Sequence, residues 1–434
     1  MFWLYFVSLS LLCIIARVYI RLYKVSQVSK EIDSENFEVQ GRKLQGEYLI
    51  VYLLAVSADW LQGPYVYALY EQYGFSKAQI GFLFVAGFGS SGIFGTFVGS
   101  SADRFGRKRL CLVYGLLYSI SCITKHFPIF TILLLGRLLG GISTSILFSS
   151  FESWLISEHN KRLLPGWLLN EIFAKAQFGN GLMAILAGQV ANILASNFGK
   201  VAPFDASILI LFIMSLVIYM KWDENYGDNH KDSKVGFHCA LQSLFAEQRI
   251  WLLGVFQSCF ESVMYIFVFM WTPALQLTSS TNIPHGLVFS CFMVALMLGS
   301  CTFTILEGNV EVVQLLRICF IVTAIVFLVT ISSSVLWIVF FSFVLFETIC
   351  GVFFPSMAVL RARTIPNEYR STIMNLYRVP LNFIVLVVLL ADWSVSTTFE
   401  VCVFLMFIVI FTHHLFTCQR EVLTSREKTI SEDA

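Results

Sequence analysis

The chain has 434 residues, 57% of them hydrophobic and only 13% charged, with 42 phenylalanines and a formal net charge of +1 at pH 7. Its mean hydropathy is +0.74, whereas a soluble domain carries about 25% charge. This is the composition of a polytopic membrane protein, and with no basic or acidic tail it offers no electrostatic case for a nucleic-acid partner.

The first apolar run, residues 2 to 16, is followed by Arg17, Arg21 and Lys24. A cleaved signal carries its charges before the apolar core and small residues at its end. Residues 1–24 therefore read as a retained anchor helix with its N-terminus outside, and 25–45 as a polar cytoplasmic linker. Twelve spans follow, each near the ~20 residues that cross a bilayer. They are expected at 47–70, 78–101, 109–126, 130–156, 165–195, 203–221, 250–275, 285–306, 312–331, 335–360, 369–391 and 397–417. Breaks fall at Gly74, Pro128, Pro165, Gly199, Pro284 and Pro366.

The polar stretch from Asp223 to Gln248 divides the twelve spans into six and six. It gives an N-terminal half at 46–222, an interdomain loop at 223–249, a C-terminal half at 250–417 and a cytoplasmic tail at 418–434. Two similar halves are the mark of transporters built from internal repeats. On this layout 22 of the 29 Lys and Arg residues are cytoplasmic and three, Lys77, Lys125 and Lys200, are outside, the asymmetry that sets topology. The densest basic loop is Gly99-Ser-Ser-Ala-Asp103-Arg104-Phe-Gly106-Arg107-Lys108-Arg109, between the second and third core spans.

Seven ionisable residues are singled out well inside spans: Asp59, Arg137, Glu171, Lys175, Glu261, Glu347 and Arg378. Against hydrocarbon they would cost about 20 kcal/mol together, at ~3 each, so they face one another or a wet cavity. Their placement repeats between halves. Asp59 follows Glu47 by twelve residues and Glu261 follows Arg249 by twelve; Arg137 precedes Gly141 by four and Glu347 precedes Gly351 by four. Arg137 with Asp59, or Glu171 with Lys175 one turn away, can also satisfy each other as structural pairs. For Lys175 and Arg378 together an anion site is favoured.

Other chemistries lack their machinery. The eleven cysteines lie singly, with no CxxC, and the seven histidines form no HExxH or ligand cluster. The glycines of Gly87-Phe-Gly-Ser-Ser-Gly92 are not followed by Lys-Ser/Thr, and no GxSxG occurs. No enzyme activity, metal or cofactor is expected.

The basic loop resembles the major facilitator superfamily pattern G-x-x-x-D-R-x-G-R-[RK], matched by Gly99, Asp103, Arg104, Gly106, Arg107 and Lys108. The superfamily's R-x-x-x-G pattern in the fourth core helix is matched by Arg137 and Gly141, with Gly140 in place of the usual Gln. Within that superfamily the chain is similar to the eukaryotic molybdate-anion transporters. The similarity rests on Ala58-Asp-Trp-Leu-Gln-Gly-Pro-Tyr65, Gly136-Arg-Leu-Leu-Gly-Gly141, Phe151-Glu-Ser-Trp154, Glu224-Asn-Tyr226, Phe260-Glu-Ser262, Trp271-Thr-Pro273, Phe354-Pro-Ser-Met357 and Arg378-Val-Pro380.

The resemblance implies an all-α membrane protein of the major facilitator fold: twelve core helices in two halves plus the N-terminal helix. It implies alternating-access uptake of a small oxyanion, molybdate, by a monomer in the lipid of the plasma membrane, with a cytoplasmic C-terminus. Lys175, Arg378 and Arg137 are the expected substrate-binding residues. Bringing a dianion inward against 100 mV costs about 4.6 kcal/mol, so coupling to a cation is expected, with Asp59, Glu261 and Glu347 as proton carriers. Asp103, Arg107 and an acid at the inner end of the fourth span, Glu152 or Glu158, are expected to form a cytoplasmic gate. The corresponding second-half loop, Glu307-Gly-Asn-Val-Glu311, lacks the basic cluster. Two other readings remain: a facilitator of an organic solute using Trp60, Tyr65 and Tyr67, or a transporter-like receptor.

Overall fold

The apolar runs become helices because a chain in hydrocarbon must satisfy its own backbone groups. A computed structural model of the protein describes residues 2–25, 35–226, 244, 246–279, 283–306, 309–365, 370–391 and 393–432. Its helices are α1 (Phe2–Val25), α2 (Glu35–Gln62), α3 (Val66–Gln72), α4 (Lys77–Phe105), α5 (Arg107–Ile123), α6 (Phe130–Leu147), α7 (Ser150–Lys161), α8 (Gly166–Phe198) and α9 (Ala202–Lys221). There follow α10 (Gln248–Leu277), α11 (His285–Leu306), α12 (Val312–Ser332), α13 (Leu336–Thr364), α14 (Arg370–Leu390) and α15 (Val395–Glu432). Among the described residues eleven helices are long and apolar enough to cross a membrane. The two further expected crossings are α5, with 17 residues, and α14, whose apolar part is Leu376–Leu390.

Two expected spans are broken where the sequence gives a physical reason. The first core span stops at Gln62, and a 3-10 turn at Gly63–Tyr65 leads into α3, because Pro64 has no N–H to continue the ladder. The span expected at 130–156 divides into α6 and α7 at Phe148 and Ser149. Ser143, Thr144, Ser149 and Ser153 all turn their hydroxyls back onto carbonyls four residues earlier, a habit that bends helices. The first core helix also starts earlier than expected, at Glu35.

The described chain forms two compact units. The first comprises Met1–Leu11, Arg21–His230 and Ile283–Val294, and the second Leu12–Ile20, Lys231–Asn282 and Ala295–Ala434. In the first, α2 packs on α8 and α9, and α5 on α6 and α9. In the second, α10 packs on α14 and α15, and α12 on α13 and α15. The same scheme of pairings is thus used twice, as an internal repeat requires.

Small residues bring helices together in each unit. A Cβ on Gly141 of α6 would lie 2.9 Å from the Ser91 nitrogen of α4, and one on Gly351 of α13 would lie 3.0 Å from the Gly299 Cα of α11. Both glycines stand four residues after an intramembrane charge, so the R-x-x-x-G and E-x-x-x-G spacings are packing devices in both units. The first core is aromatic at one end, where Trp154 stacks on Trp222 at 3.7 Å. The second is filled by phenylalanines, Phe260 stacking on Phe353 at 4.1 Å. Exposed Leu209, Phe212, Leu216 and Tyr219 run down one face of α9, as a lipid-facing stripe does.

Candidate functional site

In the first unit Asp59 is half-buried on α2 and accepts a hydrogen bond from the Tyr118 phenol of α5. Arg137 does not pair with it. Its Nε donates to the Leu83 carbonyl at 3.1 Å, and its guanidinium lies 4.8 Å from the centre of the Phe84 ring. Gly87 makes room for this: a Cβ there would fall 2.7 Å from an Arg137 nitrogen. Of the alternatives weighed for Arg137, a direct ion pair with Asp59 is not the one present: α4 offers the guanidinium a backbone acceptor and a π face, and its charge acts on Asp59 without a direct contact.

Lys175 is also engaged. Its Nζ lies 2.6 Å from Glu171 Oε1, one turn back on α8, and donates to Gln45 Oε1 at 2.8 Å. A cation neutralised by its own helix is a poor wall for a dianion, so the alternative weighed from the sequence, the Glu171–Lys175 pair, is the arrangement present. Polar groups that sequence reasoning missed are two amides further along α8. Asn180 accepts from Trp60 Nε1 at 2.8 Å, and Asn192 accepts from the Tyr65 hydroxyl at 3.1 Å. The signal was available, since amides inside an apolar span must find a donor or acceptor.

In the second unit Glu261 of α10 accepts from Gln257 Nε2 at 2.8 Å, and Arg361 and Arg378 are the cations whose charges act on it. Arg378, on α14, is exposed and makes no hydrogen bond or ion pair among the described residues. Glu347 is 8% exposed on α13 and likewise has no polar partner among the described residues. Along α10 and α14 lies a half-open cavity of about 440 Å³ lined by Trp251, Gly254, Ser258, Cys259, Tyr377 and Pro380. Its wall is apolar and includes none of the expected site residues.

The basic loop is organised by Glu224, an acid that the sequence marked only as part of the family resemblance and not as a partner of the loop. Gly106 links α4 to α5 with a φ of +102°, a conformation only glycine adopts readily. The next backbone N–H groups are captured by Glu224: Lys108 N donates to Oε1 at 2.9 Å and Arg109 N to Oε2 at 3.2 Å. Arg107 N donates to the Asn225 carbonyl at 3.0 Å. A carboxylate on the first turn of α5 meets its unpaired N–H groups and the positive end of its dipole. Glu158, 2% exposed on α7, is held by Arg162 at 3.3 Å and Lys161 at 3.6 Å. Arg162 reaches on to Glu47 at 3.0 Å. Glu152, the other acid expected in the gate, is exposed and joins no ion pair among the described residues. Gly99 falls within α4, while the side chains of Asp103 and Arg104 lie outside the described residues. So do Glu307 and Gly308 of the second-half loop.

Residues 1–354 match the model of a family described as sugar transporters with 12 transmembrane helices. A molybdate-anion transporter from Xenopus tropicalis is 36% identical over 362 residues, 79% of this chain and 77% of that protein. One from Danio rerio is 33% identical over 423 residues, 90% of this chain and 87% of that protein. The chain belongs to the molybdate-anion transporter family of the major facilitator superfamily.

It is a multi-pass membrane transporter and not an enzyme. Among solved structures, a mutant form of the nucleoside transporter NupG matches with a TM-score of 0.73 at 11% identity, covering 86% of this chain and 99% of that one. The transporter PepTSo matches with a TM-score of 0.70 at 12% identity, covering 88% and 98%. At such identities the likeness is one of fold. The major facilitator fold accounts for the repeated pairings, with α1 the helix added before the twelve. Among the described residues no cluster of three or more His, Cys, Asp or Glu is placed to hold a metal ion.

Proposed function

We propose that this transporter carries a small inorganic oxyanion, molybdate, across the plasma membrane into the cell by alternating access. The observation that carries the reading is its 36% identity over 362 residues to a molybdate-anion transporter. Arg378 supports it from the side of chemistry: it is a cation inside a span whose guanidinium is exposed and makes no hydrogen bond or ion pair among the described residues. A planar fork of N–H donors suits two oxygens of a tetrahedral oxyanion. Of the three cations expected to bind substrate, Arg378 is accordingly the principal one in this proposal. Lys175 and Arg137 hold their helices.

The six-helix halves at 46–222 and 250–417 are the moving bodies of this proposal, with the N-terminus outside and the C-terminus in the cytosol. Inward movement of a dianion against the membrane potential requires a cation to travel with it, and a proton is proposed. Glu261 and Glu347 are its carriers in the second unit and Asp59 in the first. Glu347 carries most weight, since a buried carboxylate without a partner is costly and taking up a proton removes the charge. The gate is proposed at the Gly106 loop, with Arg107, Lys108 and Glu158 in place of Glu152.

The test is molybdenum accumulation in cells expressing the protein, measured by elemental mass spectrometry with sulfate, phosphate and a hexose as competitors. Accumulation above vector controls that persists in excess hexose is the expected result. Accumulation equal to the control, in cells where the protein is at the surface, would refute the substrate assignment.

A further inference from the structure

A second cation without a hydrogen-bond or ion-pair partner among the described residues lies in the first unit, apart from the residues used above. The turn Thr124–His126 after α5 carries Lys125, which is 2% exposed, and against it stands Tyr70 of α3, which is 0% exposed. The Lys125 ammonium sits over the Tyr70 ring, 5.6 Å from its centre. Neither the ammonium nitrogen nor the Tyr70 hydroxyl has a hydrogen-bond partner among the described residues.

The surroundings fix both groups in place. Thr124 Oγ1 donates to the Ser121 carbonyl and Ser121 Oγ to the Gly136 carbonyl, each at 2.6 Å. The Tyr73 phenol donates to the backbone carbonyl of Lys125 itself. The neighbouring acids serve other bases. Asp205 pairs with His126 at 2.7 Å, and Glu71 acts on Lys200, whose Nζ donates to the Ala68 carbonyl at 3.0 Å. Two lysines from different loops therefore converge on the short helix α3, and one of them has neither a counter-charge nor an acceptor among the described residues.

The ammonium brings three donors and the phenol one. Buried donors are satisfied in folded proteins almost without exception, and a buried cation also needs an opposite charge. A water molecule supplies the acceptors but not the charge; a small anion supplies both. The π face of Tyr70 compensates in part, but it cannot take the N–H bonds.

We infer that Lys125 and Tyr70 form a binding site for a small inorganic anion, held between the ammonium and the phenolic hydroxyl at the end of the first unit opposite the Gly106 loop. The ligand class is a halide or a tetrahedral oxyanion, acceptor-only and compact, because both side chains are closed off from solvent. The site is built from first-unit residues alone and does not depend on what the transporter carries.

The test is thermal unfolding of the purified full-length protein at constant ionic strength, with sodium gluconate replaced stepwise by sodium chloride or sodium molybdate. The expected result is a saturable rise of the midpoint with one or both anions. In the Arg378→Gln background, where the transport site does not contribute, Lys125→Met abolishes the rise, and Tyr70→Phe raises the half-saturating concentration about fivefold, as loss of one hydrogen bond does. A rise with chloride alone identifies a halide site, and one with molybdate alone an oxyanion site. Absence of any rise over gluconate overturns the inference. So does a rise kept in Lys125→Met but lost in Arg378→Gln, which would assign the effect to the transport site. Should Lys125→Met fail to fold, Tyr70→Phe decides: an unchanged half-saturating concentration overturns the site.

Discussion

Glu224 closes the first turn of α5 by accepting the Lys108 backbone N–H at 2.9 Å, across 116 residues of chain. Its other oxygen takes the Arg109 N–H. The acid therefore ties the segment after α9 to α5, which follows the basic loop, through two backbone N–H groups and a looser ion pair with the Arg109 guanidinium at 3.7 Å. Replacing Glu224 by Ala removes a helix-capping acceptor and is expected to cost about 1–2 kcal/mol. A thermal midpoint of the purified protein lowered by a few degrees is the expected reading; Glu224→Gln, which keeps an acceptor, falls between. A midpoint unchanged in Glu224→Ala would show that the cap carries no stability.

Gly106 is the other half of that arrangement. A Cβ at this position would lie 2.6 Å from the Glu224 Cδ, and the backbone already holds a φ of +102°. Gly106→Ala should cost about 1–3 kcal/mol from backbone strain alone, and more from the collision. Two causes predict a specific non-additivity: in the Gly106→Ala/Glu224→Ala double variant the collision is gone, so the loss is smaller than the sum of the singles. Simple addition would leave strain as the whole cost.

How far these features are legible in the sequence depends on whether their partners are local. The spans follow from run length and from Gly and Pro positions, and the break at Pro64 follows from the missing N–H. The matched spacings Arg137–Gly141 and Glu347–Gly351 were legible as a repeat of charge placement, whereas the close helix approaches at their glycines appear only in the structure. What was not legible is direction. The side Arg137 turns to depends on the absent Cβ of Gly87, on a different helix. The role of Glu224 depends on a chain return over 116 residues. Lys175 shows the limit from the other side: its pairing with Glu171 was readable as a one-turn spacing, but nothing in the sequence ranked it above an anion site.

The contrast between Lys175 and Arg378 gives a paired prediction for transport. Lys175 is bound to Glu171 and Gln45, so Lys175→Gln should leave molybdate affinity within about threefold, a surface-type ion pair being worth ~1 kcal/mol or less. Arg378→Gln should raise the half-saturating concentration about 10- to 100-fold, the worth of a charge-assisted bond. Arg378→Lys should recover only part, since a point charge replaces the fork. Uptake kinetics normalised to surface protein measure all three. Equal losses at both positions would return Lys175 to the substrate site.

Where α7 ends, Glu158 anchors a small ion-pair cluster. Glu158 is 2% exposed and shared by Arg162 and Lys161, and Arg162 is in turn shared with Glu47. Removing Glu158 leaves Arg162, 22% exposed, with Glu47 as its remaining acid, so for Glu158→Ala the expected cost is about 1–3 kcal/mol. Glu47 is the more exposed partner, with 15% of its side chain accessible, so Glu47→Gln should cost less. The ordering tests the cause: if charge imbalance is the penalty, Glu158→Ala combined with Arg162→Met recovers stability relative to Glu158→Ala alone. Thermal midpoints of the three variants decide it. A double variant no more stable than Glu158→Ala would locate the cost in lost packing of α7 instead.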